Sequence, residues 1–326
     1  YMAGQYFECL ERLKYAINTS KGGVLIISED AGLGKTTILL KLIEEMREVY
    51  GDELFRYAIV DHPTISPEQM IAHIAGSISG YKPSYDKLEN LSLLKHSLTE
   101  VKMKGGRNII IVDEGQMLCG AADVLQELRM LINLTYKDEY LHTFILSGQK
   151  PLWDEIRRMP EFWQRLPVRY YFVPLRLEET KEMIKYRLSM AGLENGREIF
   201  TSDAFEIIHR YSQGSPRTII ALADLSLLMG YSDRSLRISF KEITKAINAM
   251  TGKGDSLPYV IEDRRKKPEV PLGNLSANEK HNDSAKQIIG YRYNAQEKKN
   301  SADSLSVTNQ IRPFFVVLAV MFSIIA

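Results

Sequence analysis

The sequence predicts an α/β fold with a doubly wound parallel sheet, followed by a smaller helical domain. Four short apolar runs, rich in β-branched residues, alternate with longer amphipathic segments, and they lie at residues 24–27, 57–60, 109–112 and 143–146. Nearly continuous apolar strands of this kind are covered on both faces, as in parallel sheets. Beyond about residue 176 the strand signals fade and helical periodicity continues to about residue 250.

Composition excludes several other classes of protein. The chain has 326 residues, of which 44% are hydrophobic and 25% charged, so it is not collagen-like, wholly disordered or a polytopic membrane protein. Its 42 Lys and Arg against 41 Asp and Glu give a net charge of +1, without the basic excess of a dedicated nucleic-acid binder. Only Cys9 and Cys119 are present, without the spacing of a metal site. A disulfide framework and a zinc site are therefore not expected, and a reducing compartment is.

A phosphate-binding loop is predicted between the first strand and the helix that follows it. Residues 28–37 read SEDAGLGKTT, and an apolar helical pattern begins at Ile38. In this context backbone N–H groups and the positive end of the helix bind polyphosphate, while Lys35 reaches the β- and γ-phosphates and Thr36 supplies a hydroxyl to Mg²⁺. The predicted ATP contacts are Asp30, Ala31, Gly32, Leu33, Gly34, Lys35, Thr36 and Thr37.

One position departs from the usual phosphate-loop pattern. Glu29 stands where the motif normally has its first glycine. The substitution predicts a differently shaped turn, and a carboxylate near the phosphates predicts weaker nucleotide affinity. It also leaves open a nucleotide-dependent binding module with negligible hydrolysis.

Two carboxylates follow the third apolar run. Asp113 and Glu114 end the sequence RNIIIVDE, at the edge of the sheet where open parallel sheets bind ligands. Asp113 is predicted to hold Mg²⁺, and Glu114 to accept a proton from the attacking water. An acidic turn after a core strand is the alternative for either motif alone, but the two motifs together predict ATP hydrolysis.

With these residues in place, the chain resembles AAA+ ATPases of the general secretion pathway A (GspA/ExeA) type, which have a P-loop fold with a helical lid. The resemblance covers nearly all of residues 1–250. It rests on the loop at 29–37, on IVDEGQML at 111–118 (LIDEAQNL in the family), on ILSGQKPL at 145–152 (LVGQPEL), on QRLPVR at 164–169 (QRIAVRY), on PLRLEET at 174–180 and on GSPR at 214–217 (G-x-P-R).

The resemblance implies roles for four further side chains. Gln149 corresponds to the sensor that contacts the γ-phosphate or positions the water, with a polar loop residue as the alternative. Arg165 resembles the arginine finger that one subunit of a homo-oligomeric ring presents to its neighbour's nucleotide, and Arg169 is the second candidate. Arg217, which opens a helix, resembles the second sensor that couples the lid to the γ-phosphate.

The resemblance also implies a domain order and a location. We expect a nucleotide-binding domain at 1–175, a helical lid at 176–252, a polar disordered linker at 253–312 and the start of a transmembrane helix at 313–326. The last segment is uncharged but too short for a complete span, and the chain does not begin with Met, so a fragment of a longer protein is expected. The family places such a protein in the bacterial inner membrane, with its ATPase domain facing the cytoplasm.

Two functions follow from this resemblance. The first is a membrane-anchored ATPase that assists assembly of a secretion, pilus or exopolysaccharide system, with envelope components as partners. The second is a DNA-binding AAA+ ATPase that regulates transposition, for which the balanced charge gives no support.

Overall fold

A five-stranded parallel sheet forms the centre of the molecule in the computed structural model, which describes residues 1–194 and 196–252. The strands lie in the order β2-β3-β6-β1-β7, and β4 and β5 form a separate antiparallel hairpin. Their bounds are β1 (Gly23–Ser28), β2 (Phe55–Val60), β3 (Arg107–Val112), β4 (Thr135–Tyr136), β5 (Glu139–Tyr140), β6 (Thr143–Gln149) and β7 (Val168–Phe172).

Helices cover both faces of this sheet and continue beyond it. Seven precede or separate the strands: α1 (Gly4–Asn18), α2 (Lys35–Leu54), α3 (Pro67–Ser79), α4 (Lys87–Met103), α5 (Ala122–Ile132), α6 (Lys150–Arg157) and α7 (Pro160–Arg165). A single 3₁₀ turn, Gly115–Leu118, follows β3. Between β7 and residue 252, where the described part of the chain ends, lie four helices: α8 (Leu177–Met190), α9 (Ser202–Ser212), α10 (Pro216–Ser232) and α11 (Phe240–Met250).

The four strands predicted from apolar runs are confirmed, and the alternation within them explains the layers. Val24 and Ile26 of β1 join one apolar cluster, and Leu25 and Ile27 join the other, because successive side chains of a strand point to opposite faces. The first cluster includes α1 and α2 and extends into α8–α11. The second contains residues from α3, α4, α5 and α6.

The strand β7 was missed by sequence reasoning. It is an edge strand, which within the described residues pairs with β1 alone, and its burial alternates: Tyr170 and Phe172 are buried whereas Tyr171 is 37% exposed. A half-exposed strand of sequence VRYYF contains no continuous apolar run of the kind that marks the buried strands.

The strand order places β6 between β1 and β3, with Ser28 of β1 in register with Gln149 of β6. The carboxyl ends of the strands that lead to the phosphate loop, to Asp113 and to Gln149 are therefore neighbours. Helices also follow one another from Leu177 to Met250, where the sequence showed helical periodicity.

Two predicted segments cannot be compared with the structure, because residues 253–312 and 313–326 lie outside the described residues. Within the part of the chain that the structure does describe, no helix has both the length and the apolar character needed to cross a bilayer.

Candidate functional site

The phosphate loop between β1 and α2 is shaped by two glycines with left-handed backbones. Gly32 has a φ of 81° and Gly34, the N-cap residue of α2, a φ of 88°. Side chains are disfavoured in this region, so GLG permits a turn that returns the chain directly to a helix N-terminus. The Tyr6 hydroxyl of α1 donates a hydrogen bond to the Leu33 carbonyl oxygen, 3.2 Å away, and so anchors the outer side of the loop.

Lys35 is held inside the loop by short polar contacts. Its Nζ donates to Ser28 Oγ at 2.6 Å, and Ser28 Oγ donates to the Asp30 carbonyl oxygen at 2.7 Å. Burial lowers the pKa of Lys35; the carboxylates of Asp113 and Glu114 act in the opposite direction, and the charge of Arg217 adds to the lowering. A buried ammonium group with a lowered pKa gains from the arrival of an anion.

The two predicted motifs meet in one hydrogen bond. Thr36 Oγ1 donates to Asp113 Oδ2 at 2.6 Å, across 77 positions of sequence. The second oxygen, Oδ1, accepts the backbone N–H of Glu114 at 2.9 Å, so the carboxylate is fixed from two sides. A hydroxyl and a carboxylate side by side are hard oxygen donors of the kind that Mg²⁺ takes together with substrate phosphates. No cluster of three or more His, Cys, Asp or Glu side chains with metal-site geometry occurs within residues 1–194 and 196–252.

Glu114 lies next to these groups with an unusual backbone. Its φ of 50° is left-handed, which is costly for a residue with a Cβ and is common at functional sites. Its Oε2 accepts a hydrogen bond from Nε2 of Gln116, and Oε1 of Gln116 accepts the backbone N–H of Gln149 at 3.1 Å. Gln116 was not among the predicted site residues, although its place two residues after Glu114 puts it on the same turn.

Arg217 lies against the phosphate loop from the other side. Its backbone N–H donates to the Gly32 carbonyl oxygen at 3.3 Å, and a Cβ on Gly32 would lie 2.9 Å from the Arg217 Cβ. The N-terminus of α10 is therefore packed on the turn that the two glycines form. This contact brings the predicted second sensor to the site.

The two candidate arginine fingers differ in their surroundings. Arg165 ends α7, is exposed, and its Nη1 donates to the Tyr140 hydroxyl at 3.1 Å. The guanidinium of Arg169 instead lies 3.7 Å above the Trp163 ring, donates to the Trp163 carbonyl oxygen, and has its pKa lowered by burial. Arg169 is thus engaged within its own chain.

Arg165 is not brought to the site of its own chain. Its carbonyl oxygen would lie 2.3 Å from a Cβ on Gly23, the first residue of β1, whereas the phosphate loop follows the last residue of that strand. A six-residue strand separates these two ends by roughly 17–20 Å. An in-trans role requires such a position, facing away from the nucleotide that its own chain would bind.

The structure places the side chain of Glu29 among partners. Lys150 Nζ donates to its Oε1 at 3.1 Å, and the Tyr171 hydroxyl donates to its Oε2. Its φ is not among the positive values of the chain, so the backbone at this position does not need glycine. Glutamate is therefore compatible with the backbone at this position, and the effect of its charge on nucleotide affinity stays a prediction.

Comparisons with known proteins agree with this geometry. The AAA domain family matches residues 17–155. The chain is 29% identical over 262 residues to General secretion pathway protein A of Aeromonas hydrophila, an alignment that covers 78% of this chain but only 45% of that relative.

Solved structures share the fold at low identity. The Aeropyrum pernix ORC2 protein in its ADPNP-ADP complexes has a TM-score of 0.56 at 17% identity, with 74% of this chain and 66% of that chain covered. Drosophila ORC bound to DNA has a TM-score of 0.57 at 19% identity, with coverages of 76% and 60%. At such identities the likeness shows the fold alone. Together the matches confirm that the chain has a P-loop AAA+ fold and resembles AAA+ ATPases of the general secretion pathway A type.

Proposed function

We propose that the protein binds ATP with Mg²⁺ and hydrolyses it to ADP and phosphate. The hydrogen bond between Thr36 and Asp113 carries this proposal, because it joins the loop that cradles phosphates to the strand end that carries the two carboxylates. Coincidence would not place two such motifs in contact across a sheet.

The residues divide the chemistry among them. The loop N–H groups and Lys35 bind the phosphates, and Thr36 with Asp113 would hold Mg²⁺. The ion supplies charge neutralisation at the β- and γ-phosphates when bound. Glu114 accepts a proton from the attacking water, and Gln149 orients the γ-phosphate or that water.

Replacement of the base tests the hydrolytic step. In Glu114→Gln, turnover measured by phosphate release should fall at least about 100-fold, because general-base catalysis contributes that much or more. The affinity for ATP should stay within a few-fold, since the phosphate loop is unchanged. Glu53→Gln, at an exposed position of α2, is the matched control and should retain parental turnover. Undiminished hydrolysis in Glu114→Gln would exclude the assigned role.

We further propose that the segment 176–252 acts as a lid and that the protein works as a homo-oligomeric ring. The contact of Arg217 with Gly32 supports the lid. The exposed position of Arg165, next to the first residue of β1 and away from the phosphate loop, supports the ring. A guanidinium presented to a neighbour's nucleotide stabilises transition-state charge.

Subunit mixing separates an in-trans arginine from one that acts within its chain. Arg165→Ala and Lys35→Met should each be inactive alone. A mixture should regain turnover, because an intact Arg165 on a Lys35→Met subunit can face the intact loop of its neighbour. Failure of mixing to restore activity, or constant specific activity on dilution to monomers, would contradict the assignment.

The likeness to General secretion pathway protein A supports an envelope role, in secretion, pilus or exopolysaccharide assembly, at the bacterial inner membrane with the ATPase domain in the cytoplasm. Residues 313–326 would be the anchor. Partitioning into membranes that is lost when these residues are deleted supports this role. Strong, salt-dependent retention on duplex DNA instead would favour a DNA-linked AAA+ ATPase.

A further inference from the structure

Gln116 occupies a connecting position between the predicted base and the predicted sensor strand. Its amide nitrogen donates to Glu114 Oε2, and its amide oxygen accepts the backbone N–H of Gln149 at 3.1 Å. One planar amide thus satisfies a carboxylate on the turn after β3 and an N–H at the end of β6. These two strands are adjacent in the sheet, so the connection crosses a single strand spacing.

The backbone around Gln116 is shaped to allow this approach. A Cβ on Gly148 would lie 3.1 Å from both the backbone nitrogen and Oε1 of Gln116, and 2.6 Å from Leu152 Cδ2. A Cβ on Gly115 would lie 2.8 Å from the same Leu152 carbon. A Cβ at either glycine would require Leu152 to move, so the 3₁₀ turn packs closely against the end of β6.

The geometry of Glu114 makes this connection consequential. Its left-handed backbone is a strained conformation of the kind that surrounding contacts must hold in place. Gln116 donates a hydrogen bond to one carboxylate oxygen of Glu114, Oε2, and not to the other, Oε1. A base held through one oxygen can present the other to a water molecule in a fixed direction. Displacement of such a group by about 1 Å can cost about 100-fold in rate.

We propose that Gln116 is a positioning residue, which fixes the carboxylate of Glu114 and couples it to the backbone of Gln149. The inference rests on the proposed ATP hydrolysis and adds to it a residue that acts through Glu114 and the backbone of Gln149. When the γ-phosphate engages Gln149, the amide of Gln116 carries the shift to Glu114. Base and sensor then respond together to the presence of ATP.

A purely structural role for Gln116 would lower the melting temperature when the amide is lost, whereas a positioning role lowers kcat. Gln116 is partly exposed on a four-residue turn that Leu118, which is buried, already anchors. Loss of the amide should therefore change the melting temperature little. Its effect should lie in kcat, with KM and the affinity for ATP within about twofold of the parent, because both hydrogen-bond partners of the Gln116 side chain lie outside the phosphate loop.

Three variants of the full chain test the proposal. Gln116→Met has similar length and loses both hydrogen bonds, and its kcat should fall by about 10- to 100-fold, the usual range for outer-shell partners. Gln116→Glu keeps an acceptor for the Gln149 N–H but replaces the donor to Glu114 by a carboxylate, so its kcat should fall at least as far. Gln126→Met, an exposed glutamine of α5, is the matched control and should keep parental kcat.

Hydrogen exchange supplies a readout that needs no turnover. In nucleotide-free protein, exchange of the Gln149 amide should become at least about tenfold faster in Gln116→Met and should stay near the parental rate in Gln116→Glu. Unchanged exchange in Gln116→Met would overturn the connection to β6.

A double-mutant cycle connects Gln116 to the base. In the Glu114→Gln background, adding Gln116→Met should change the residual rate less than twofold, because residues that act as one unit are not additive. A full 10- to 100-fold loss in that background would overturn the positioning role. Absence of turnover in the parent would overturn the proposed ATPase function and this role with it, whereas parental turnover that Gln116→Met leaves unchanged would overturn the role alone.

Discussion

A buried histidine at the amino end of β6 should make the protein sensitive to mild acid. His142 is 3% exposed, and neither ring nitrogen has a hydrogen-bond partner within the described residues. Burial alone lowers its pKa from the usual 6.5 to about 4. In the unfolded chain the imidazole is hydrated and regains the ordinary value.

The sign and size of the effect follow from proton linkage. Below pH 6.5 the unfolded state binds a proton that the native state takes up only near pH 4. The free energy of unfolding therefore falls as the pH falls through this window, and above about pH 7.5 the contribution vanishes. For these two pKa values, the loss between pH 7 and pH 5 is about 2 kcal/mol.

Replacement by leucine, which has similar bulk and no proton to gain, isolates this term. Between pH 7 and pH 5 the parent should lose about 2 kcal/mol more than His142→Leu, because all other titrating groups cancel in the difference. At pH 7 the variant should also be more stable than the parent by roughly 1–3 kcal/mol, since two buried nitrogens without partners are removed.

Urea unfolding at pH 7, 6 and 5, followed by the fluorescence of Trp153 and Trp163, measures the difference. His96→Leu, at an exposed position of α4, is the matched control and should follow the parent. Equal losses of stability in the parent and in His142→Leu would refute the reasoning, because His142 would then titrate alike in both states.

Three further predictions concern the phosphate loop. Lys35→Met should abolish the stabilisation by ATP, which for the parent is about 2.7 kcal/mol at an ATP concentration of 100 times Kd. The melting temperature without nucleotide should stay unchanged or rise, because a buried charge is removed. Thermal-shift measurements with and without ATP test both results, and a retained ATP shift would contradict the role of Lys35. Gly32→Ala should lower the free energy of unfolding by at least about 1–2 kcal/mol and weaken ATP binding. The φ of 81° at this position disfavours a Cβ, which would also lie 2.9 Å from the Arg217 Cβ. Calorimetry that finds the parental affinity for ATP would show that the loop tolerates the change. Glu29→Gly should alter the Kd for ATP less than twofold, because Lys150 and Tyr171 already bind the Glu29 carboxylate. Tenfold tighter binding of ATP would show instead that the charge of Glu29 acts on the phosphates.

Local sequence was sufficient for the parts of the site that are contiguous in the chain. The phosphate loop could be predicted because a strand, a turn with two glycines and a helix N-terminus follow one another within about a dozen residues. The same holds for Asp113 and Glu114, which end a strand whose apolar run is unmistakable. In both places the pattern and the geometry are set by neighbours in sequence.

Contacts between distant segments could not be predicted in this way. The partners of Glu29 lie 121 and 142 positions away, and the connection of Gln116 to Gln149 spans 33 positions. The partner of Arg165, the Tyr140 hydroxyl, lies 25 positions away. The edge strand β7 could not be predicted either, because it mixes buried and exposed side chains and has no continuous apolar run.

The sequence by itself determined the fold class, the chemistry of the phosphate loop and the identity of the two carboxylates, because residue type and local periodicity fix them. Only the tertiary structure decided that β6 lies between the two motif-bearing strands, that Thr36 contacts Asp113, and that Gln116 joins Glu114 to Gln149. The physical reason is that strand order and side-chain hydrogen bonds arise from packing of the whole chain. A sequence pattern fixes what each strand end carries, and packing fixes what that end touches.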